Sequence, residues 1–239
     1  MRLSPLTYGN AALMREIEQL VERICDEGLR NKVRDLFHSP EVQFEGERLA
    51  FEECPGGSYI HHSYSGGLLQ HTVSVARIAL LLCDLVEEVY GGSVDRDTVL
   101  AGALIHDLMK CHVYKPEGGQ FVSTPLGDRI DHLTLLVAEM YKRDFPLDVV
   151  HAVVAHHGDS SPLSPRTLEA LILYMADFTD AELSRRVLRA AENLISRTRG
   201  EARERLSSEE ALRILKTVNQ QGLEGLKKLL KEEKKEKTI

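Results

Sequence analysis

Apolar residues recur at helical spacing along most of the chain. Leu13, Ile17, Leu20, Val21 and Ile24 share one face, which predicts helix over 10–37, capped by Asn10 and divided by Gly28. Residues 38–60 contain Pro40, Pro55, Gly56 and Gly57 and read mainly as loop. From Leu68 to Tyr90 the chain is apolar over most of a helix surface, so this helix should be central, with Gly91 and Gly92 ending it. Asp97 is placed to cap the next helix, TVLAGALIHDLMK. The segment CHVYKPEGGQFVST changes the pattern: two short β-like runs flank Pro-Glu-Gly-Gly, which predicts a hairpin. Helix returns over 128–143. Pro146 suits the first turn of a helix ending near Ala155, and Ser164-Pro165 starts another that runs through Asp180. Ser207 and Glu210 form a capping box for a last helix, and the mixed-charge tail from Lys227 reads as solvated. The expected fold is all-α, a compact helical bundle with one small β-hairpin. Residues 1–200 would form the main domain, with its core motifs at 61–180, and 201–239 a C-terminal helix and charged tail.

Composition narrows the function. The chain has 239 residues, 43% of them hydrophobic and none of them Trp. That is enough for one sizeable core and leans helical. No apolar run reaches the roughly 18 residues of a membrane span, and MRLSPLTYGN lacks the basic-then-apolar pattern of a secretory signal. Cys25, Cys54, Cys83 and Cys111 form no C-x-x-C pair, as expected for free thiols in a reducing, cytoplasmic setting. The net charge of −7, with no basic stripe, disfavours a long nucleic acid as partner. It favours a phosphorylated small molecule, nucleotide or short oligonucleotide.

The histidines are unevenly placed. His71 opens the central helix, His106-Asp107 lies near the end of the next, His132 follows Asp131, and His156-His157 sits where a helix meets Gly158. A single His at a helix end is ordinarily a surface or satisfied core residue. Asp107 and Asp177 are harder to dismiss, because each interrupts strongly apolar sequence. A buried carboxylate needs a cation, a set of hydrogen bonds or a metal. Lys110, three residues after Asp107, could supply a simple helix pair. Adjacent residues on a helix point roughly 100° apart, so His106 and Asp107 can clasp one ion only in a wedge between helices. His71 and Asp177 could then supply further ligands. Imidazole with carboxylate suits Mn, Fe, Co, Ni or Zn. Gly66-Gly67 belongs to no phosphate-loop pattern.

The ordered set His71, His106-Asp107, Asp177 resembles the HD-domain superfamily of metal-dependent phosphohydrolases. The segments HHSYSGGLLQHTVSVA, AGALIHDLMK and HHGDSSPLSPRTLEALILYMADFTDA are most similar to the catalytic domain of YhaM-type 3′–5′ exoribonucleases, over about residues 30 to 185. The box departs from the relatives' usual HDIGK, reading HDLMK. The first 60 residues read as helix and loop rather than as the relatives' RNA-gripping OB-fold, which weakens the case for RNA exonuclease activity. The resemblance implies one or two divalent metal ions. His71, His106, Asp107 and Asp177 would bind the first, and Asp107 would bridge to a second held by His132 and His156, with His157 at or behind the shell. Metal-activated hydroxide would cleave a phosphoester or phosphodiester, with Asp107 and Lys110 as catalytic residues. Lys110 would also pair with the phosphate, Arg129 could do the same, and His61 and His62 could line the pocket. The competing functions are a nucleotide-sensing module without turnover, a di-iron oxygenase on the same frame, and a nucleic-acid-binding protein.

Overall fold

The structure, a computed structural model, describes residues 5–38, 48–58, 61–199 and 206–236. Residues 39–47 and 59–60 of the loop expected over 38–60 lie outside the described residues, as does most of the expected domain boundary. The described chain runs α1 (Pro5–Glu22), α2 (Glu27–His38), α3 (Gly67–Asp84), α4 (Arg96–Ile105), α5 (Lys110–Val113), β1 (Tyr114–Glu117), β2 (Gln120–Ser123), α6 (His132–Lys142), α7 (Leu147–Val154), α8 (Leu168–Arg199) and α9 (Ser208–Glu236). It is all-α apart from the hairpin, in which Tyr114 pairs with Ser123 and Glu117 with Gln120. Gly118 and Gly119, both at positive φ, make the two-residue turn. Among the described residues, no helix is long and apolar enough to cross a membrane.

Helix α4 is central, because every residue from Thr98 to Ile105 is buried. Helices α3, α7 and α8 pack on it, and their apolar faces complete the core with Leu69, Val73, Ala76, Val149, Val153, Leu173 and Ala176. Helix α3 passes through one π turn, Leu85–Val89, before the chain turns back. A second, smaller core joins Leu188, Ala191 and Ile195 of α8 to Ala211, Ile214, Leu226 and Leu230 of α9. Helix α8 therefore serves both cores. Helix α9 bends at Gly222.

Several helix ends differ from the sequence expectation. Helix α1 starts before Asn10, whose side-chain amide instead donates to Glu52 O. The break before α2 is at Arg23–Asp26 rather than Gly28. Asp95, not Asp97, caps α4 by accepting from the N–H groups of Asp97 and Thr98. Asp97 instead clamps the α1–α2 connector, accepting from Cys25 N at 2.9 Å and Asp26 N at 2.7 Å. Asp131 caps α6 through Thr134 N. Thr167 caps α8, three residues beyond Ser164, and this helix continues to Arg199 instead of stopping at Asp180. The Ser207–Glu210 capping box forms with both reciprocal bonds.

Both oxygens of Asp97 are spent on backbone donors distant in sequence. Asp97→Ala should therefore lower stability by about 1–2 kcal/mol, the usual cost of a lost cap, in urea denaturation. An unchanged midpoint would show that the connector is held by packing alone.

Candidate metal centre

The HD box is built on an interrupted helix. Helix α4 stops at Ile105, and His106–Met109 form a turn before Lys110 restarts the helix. That turn aims the neighbouring side chains of His106 and Asp107 at one place, which a continuous helix would splay apart. His71 comes from the second turn of α3, His132 is the first residue of α6, His156 and His157 lie in the turn after α7, and Asp177 lies in α8. Two glycines permit the close approach of these segments. A Cβ on Gly67 would sit 1.9 Å from His62 O, and one on Gly158, at φ 59°, would strike the Tyr174 ring at 2.4 Å.

The two oxygens of Asp107 face different partners. Oδ2 lies 3.3 Å from His71 Nε2 and 3.4 Å from His106 Nε2. Oδ1 lies 3.1 Å from His132 Nε2 and 3.8 Å from His156 Nε2. Asp177 Oδ1 joins the first group, 3.1 Å from His71 Nε2 and 3.8 Å from His106 Nε2. These side chains are almost completely enclosed, with Asp107 2% exposed and His71, His106 and His156 at 0%.

Proton placement shows what these contacts mean. His106 Nδ1 lies 3.0 Å from Ala103 O, and His156 Nδ1 2.6 Å from Val153 O. Carbonyls only accept, so both nitrogens carry the proton, and in the neutral rings Nε2 is a bare lone pair. His71 Nδ1 likewise faces the Asp180 carboxylate at 2.6 Å. Yet His71 Nε2 and His106 Nε2 stand 3.2 Å apart. Asp107 Oδ1, His132 Nε2 and His156 Nε2 are buried with no hydrogen-bond partner. Converging acceptors out of reach of water are costly unless a cation lies among them. The donor set therefore fits divalent metal. Among the described residues three groups of side chains offer ligand atoms within 4.8 Å of one another: His71–His106–Asp107, Asp107–His132–His156–His157, and His62–His71–Asp180, whose members are already joined by hydrogen bonds.

Electrostatics agree. Burial lowers the pKa of His71, but Asp107, Asp177 and Asp180 outweigh it and raise it well above the ordinary histidine value. The metal-free pocket thus demands positive charge. Burial, with His106 and His157 beside it, pushes His156 well down and keeps it neutral, as a ligand must be. Burial would raise Asp107, but Lys110, His106 and His132 hold it well below the usual carboxylate range.

The expected substrate residues fare differently. Lys110 is buried, and its ammonium donates to Gly56 O at 2.6 Å and Asp107 Oδ2 at 2.5 Å, so here it holds the carboxylate rather than facing a cleft. Arg129 is exposed and folds back onto Pro125 O at 2.5 Å, so the structure does not bring it to the cluster. His62 is buried with both ring nitrogens engaged, by Tyr64 and Asp180, so it lies behind His71 and lines a separate cavity shared with Gln70, Asp180 and Ser208. His61 is half-buried, its ring 5.7 Å from that of His71. Sequence reasoning missed Asp180, which accepts from His71, His62 and Ser74. The signal was available: Asp177 and Asp180 are spaced to share one face of an apolar helix. A cleft of about 680 Å³ opens beside His132 and His157, lined also by Asp131, Thr134, Ser160 and Ser161, with Leu133, Val137, Val154 and Pro162 as its apolar part.

Comparison with known proteins follows the same residues. The HD-domain family profile matches residues 68–182. The chain is 45% identical over 175 residues to a dihydroneopterin 2′,3′-cyclic phosphate phosphodiesterase of Methanocaldococcus jannaschii, covering 72% of this chain and 70% of that protein. It is 29% identical over 184 residues to the 3′-5′ exoribonuclease YhaM of Bacillus subtilis, covering 72% of this chain and 54% of the relative. The YhaM of Listeria monocytogenes is 33% identical over 146 residues, 56% of this chain and 44% of the relative. The chain thus spans about half the length of these exoribonucleases. No solved structure matches it.

The buried histidines make the metal-stripped protein acid-sensitive. His61 and His112 are lowered to about 4 from 6.5, chiefly by burial, and His62, His156 and His157 are lowered too. Below pH 6.5 the unfolded chain takes up protons that the folded chain refuses, so stability falls with pH. His71 acts in the opposite sense, but alone. Thermal melts in EDTA should show the midpoint dropping steadily from about pH 6.5 to about pH 4. A flat profile would mean that these rings are more solvated than the structure shows.

Proposed function

The chain belongs to the HD-domain family of metal-dependent phosphohydrolases, and we propose that it hydrolyses a small phosphodiester, cyclic or nucleotide-like, at a two-ion site centred on Asp107. The observation that carries this reading is the division of the Asp107 carboxylate, with one oxygen turned to each group of lone-pair nitrogens. His71, His106, Asp107 and Asp177 would hold one ion, and Asp107, His132, His156 and His157 the other. Divalent ions bound there supply Lewis acidity towards the phosphoryl oxygens and acidify the attacking water towards pKa ~7.

The chain's own residues do the rest. Asp107 joins the two halves of the site, and Lys110 fixes its Oδ2 from behind. The backbone carbonyls of Ala103 and Val153 hold His106 and His156 in the tautomer that presents Nε2. Beside the cleft, His157 stays neutral because burial lowers its pKa. Thr134, Ser160 and Ser161 offer neutral hydrogen-bonding groups, and the apolar wall takes the organic part of the substrate.

Substrate size is argued from the same cleft. A volume of about 680 Å³ suits a nucleotide-sized molecule. No Lys or Arg lines it, whereas a site that tracks an RNA strand needs a basic groove. This favours a small cyclic phosphate, the kind of substrate named for the Methanocaldococcus relative. A short oligonucleotide is the second reading, favoured by the likeness to the exoribonucleases. Both kinds of relative are named for hydrolysis of phosphodiesters, which favours turnover over a sensing module and hydrolysis over an oxygenase.

The test is metal analysis of the purified protein, then turnover of bis-p-nitrophenyl phosphate, 2′,3′-cyclic phosphates and short RNA with added Mn²⁺. About two ions per chain, as in two-metal sites, and preference for the cyclic phosphates are expected. Asp107→Asn should lose both metal and turnover. Faster cleavage of RNA would favour the second reading, and full metal content in Asp107→Asn would overturn the bridging role.

A further inference from the structure

A chain of hydrogen bonds runs from the start of α9 to the metal-facing side of α3. Ser208 Oγ, at the first residue of α9, lies 2.7 Å from Tyr64 Oη. Tyr64 Oη lies 2.9 Å from His62 Nδ1 and donates to Gln70 Oε1 at 2.5 Å. His62 Nε2 lies 2.8 Å from Asp180 Oδ2, and the same oxygen lies 2.6 Å from His71 Nδ1. Ser74 donates to the other oxygen, Oδ1. His62, His71 and Asp180 are all buried, so the chemistry of these groups fixes the direction of each bond.

An ionised carboxylate only accepts. Asp180 therefore takes protons from His62 Nε2, His71 Nδ1 and Ser74 Oγ. With its proton on Nε2, a neutral His62 presents a lone pair at Nδ1, which shares the single Tyr64 O–H proton with Gln70 Oε1. Ser208 can donate in turn to the Tyr64 oxygen. The donors of His62, His71 and Ser74 thus all end on Asp180, with Tyr64 and Ser208 packed behind His62. The consequence for His71 is specific: the Nδ1 proton is held by Asp180, so Nε2, facing Asp107 and Asp177, is the nitrogen that would give up its proton to a metal.

We propose that Asp180 is the positioning residue for His71, and that His62, Tyr64 and Ser208 form a relay through which the α8–α9 hairpin fixes that ligand. This rests on the reading of His71 as a metal ligand. The hairpin has its own small core, and this row of contacts is how its seating reaches the metal centre. Helix α8 contributes at two levels one turn apart, Asp177 towards the ion and Asp180 behind the imidazole.

The relay makes the two halves of the centre unequal. His106 and His156 are oriented by backbone carbonyls of their own turns, which no side-chain substitution removes. Only His71 is oriented by a carboxylate from another helix. Loss of Asp180 should therefore weaken one ion and spare the other.

The test is calorimetric titration of EDTA-stripped protein with Mn²⁺ alone, for wild type, Asp180→Asn, Tyr64→Phe and His71→Ala, with a thermal melt of each. Asp180→Asn should weaken one ion by about 10–100-fold and leave the other unchanged, the usual effect of removing a ligand's hydrogen-bond partner. Tyr64→Phe should shift the same ion in the same direction by less, and it guards against misfolding of Asp180→Asn. In the zinc-loaded wild type labelled with ¹⁵N-histidine, long-range ¹H–¹⁵N spectra should show His71 protonated at Nδ1 and ligated through Nε2. Ligation through Nδ1 would overturn the proposal. So would wild-type affinity in both Asp180→Asn and Tyr64→Phe while His71→Ala loses an ion, and the two-ion reading would then stand. Full metal content in His71→Ala would instead bring down the two-ion reading itself.

Discussion

Lone pairs and carboxylates that face one another without water repel, and the centre of this molecule is made of such pairs. Asp107 is 2% exposed and stands among imidazole nitrogens whose protons are already committed to backbone carbonyls or to Asp180. Left uncompensated, this arrangement would oppose folding by more than any single apolar contact favours it. Much of the fold follows from bringing these groups together. Helix α4 breaks at Ile105 so that consecutive residues can converge, α6 and α7 end or begin at ligand positions, and α8 crosses α3 where Asp177 meets His71. The core of α3, α4, α7 and α8 is the rigid frame that keeps those termini within 4 Å of each other.

The sequence was most legible where burial alone decides. The apolar surfaces of α3 and α4 announce central helices, and Asp107 and Asp177 stand out because each interrupts strongly apolar sequence. Helix ends were less legible. Asp95 and Asp97 are equally good caps by residue type, and only the approach of the α1–α2 connector decides which of them caps α4. The length of α8 was hidden for a related reason. After Asp180 its apolar face changes partner, from the main core to α9, so its pattern loses the density that marked its first half. Asp180 was overlooked because it read as the end of a helix, where a carboxylate is ordinary.

Most of the residues expected to meet the substrate are engaged elsewhere in the structure. Lys110, Arg129 and His62 are all of the right type for a phosphate or pocket contact. Lys110 is committed to Asp107 and Gly56, Arg129 to a local carbonyl, and His62 to the row behind His71. Spacing in sequence gives a residue's place on a helix, but the direction of a long cationic side chain is set by which acceptors the fold leaves within reach. Ligand positions escape this ambiguity, because several poor neighbours must converge before any of them is tolerated.

Charge in the centre also bears on how many ions it needs. Asp107, Asp177 and Asp180 bring three carboxylates and Lys110 one ammonium, all of them buried. Two negative charges remain, in a protein that is acidic overall. One divalent ion would only neutralise them, leaving no field to draw in an anionic phosphodiester. A second would make the centre positive, and no arginine or lysine along the cleft would then be required for attraction. The described residues of the cleft include none, and the net negative charge of the chain works against a long polyanion. A substrate with a single phosphodiester is the one that would gain the local attraction while meeting little of that repulsion, so the proposed second ion would do the work of a basic groove that the described residues of the cleft do not supply.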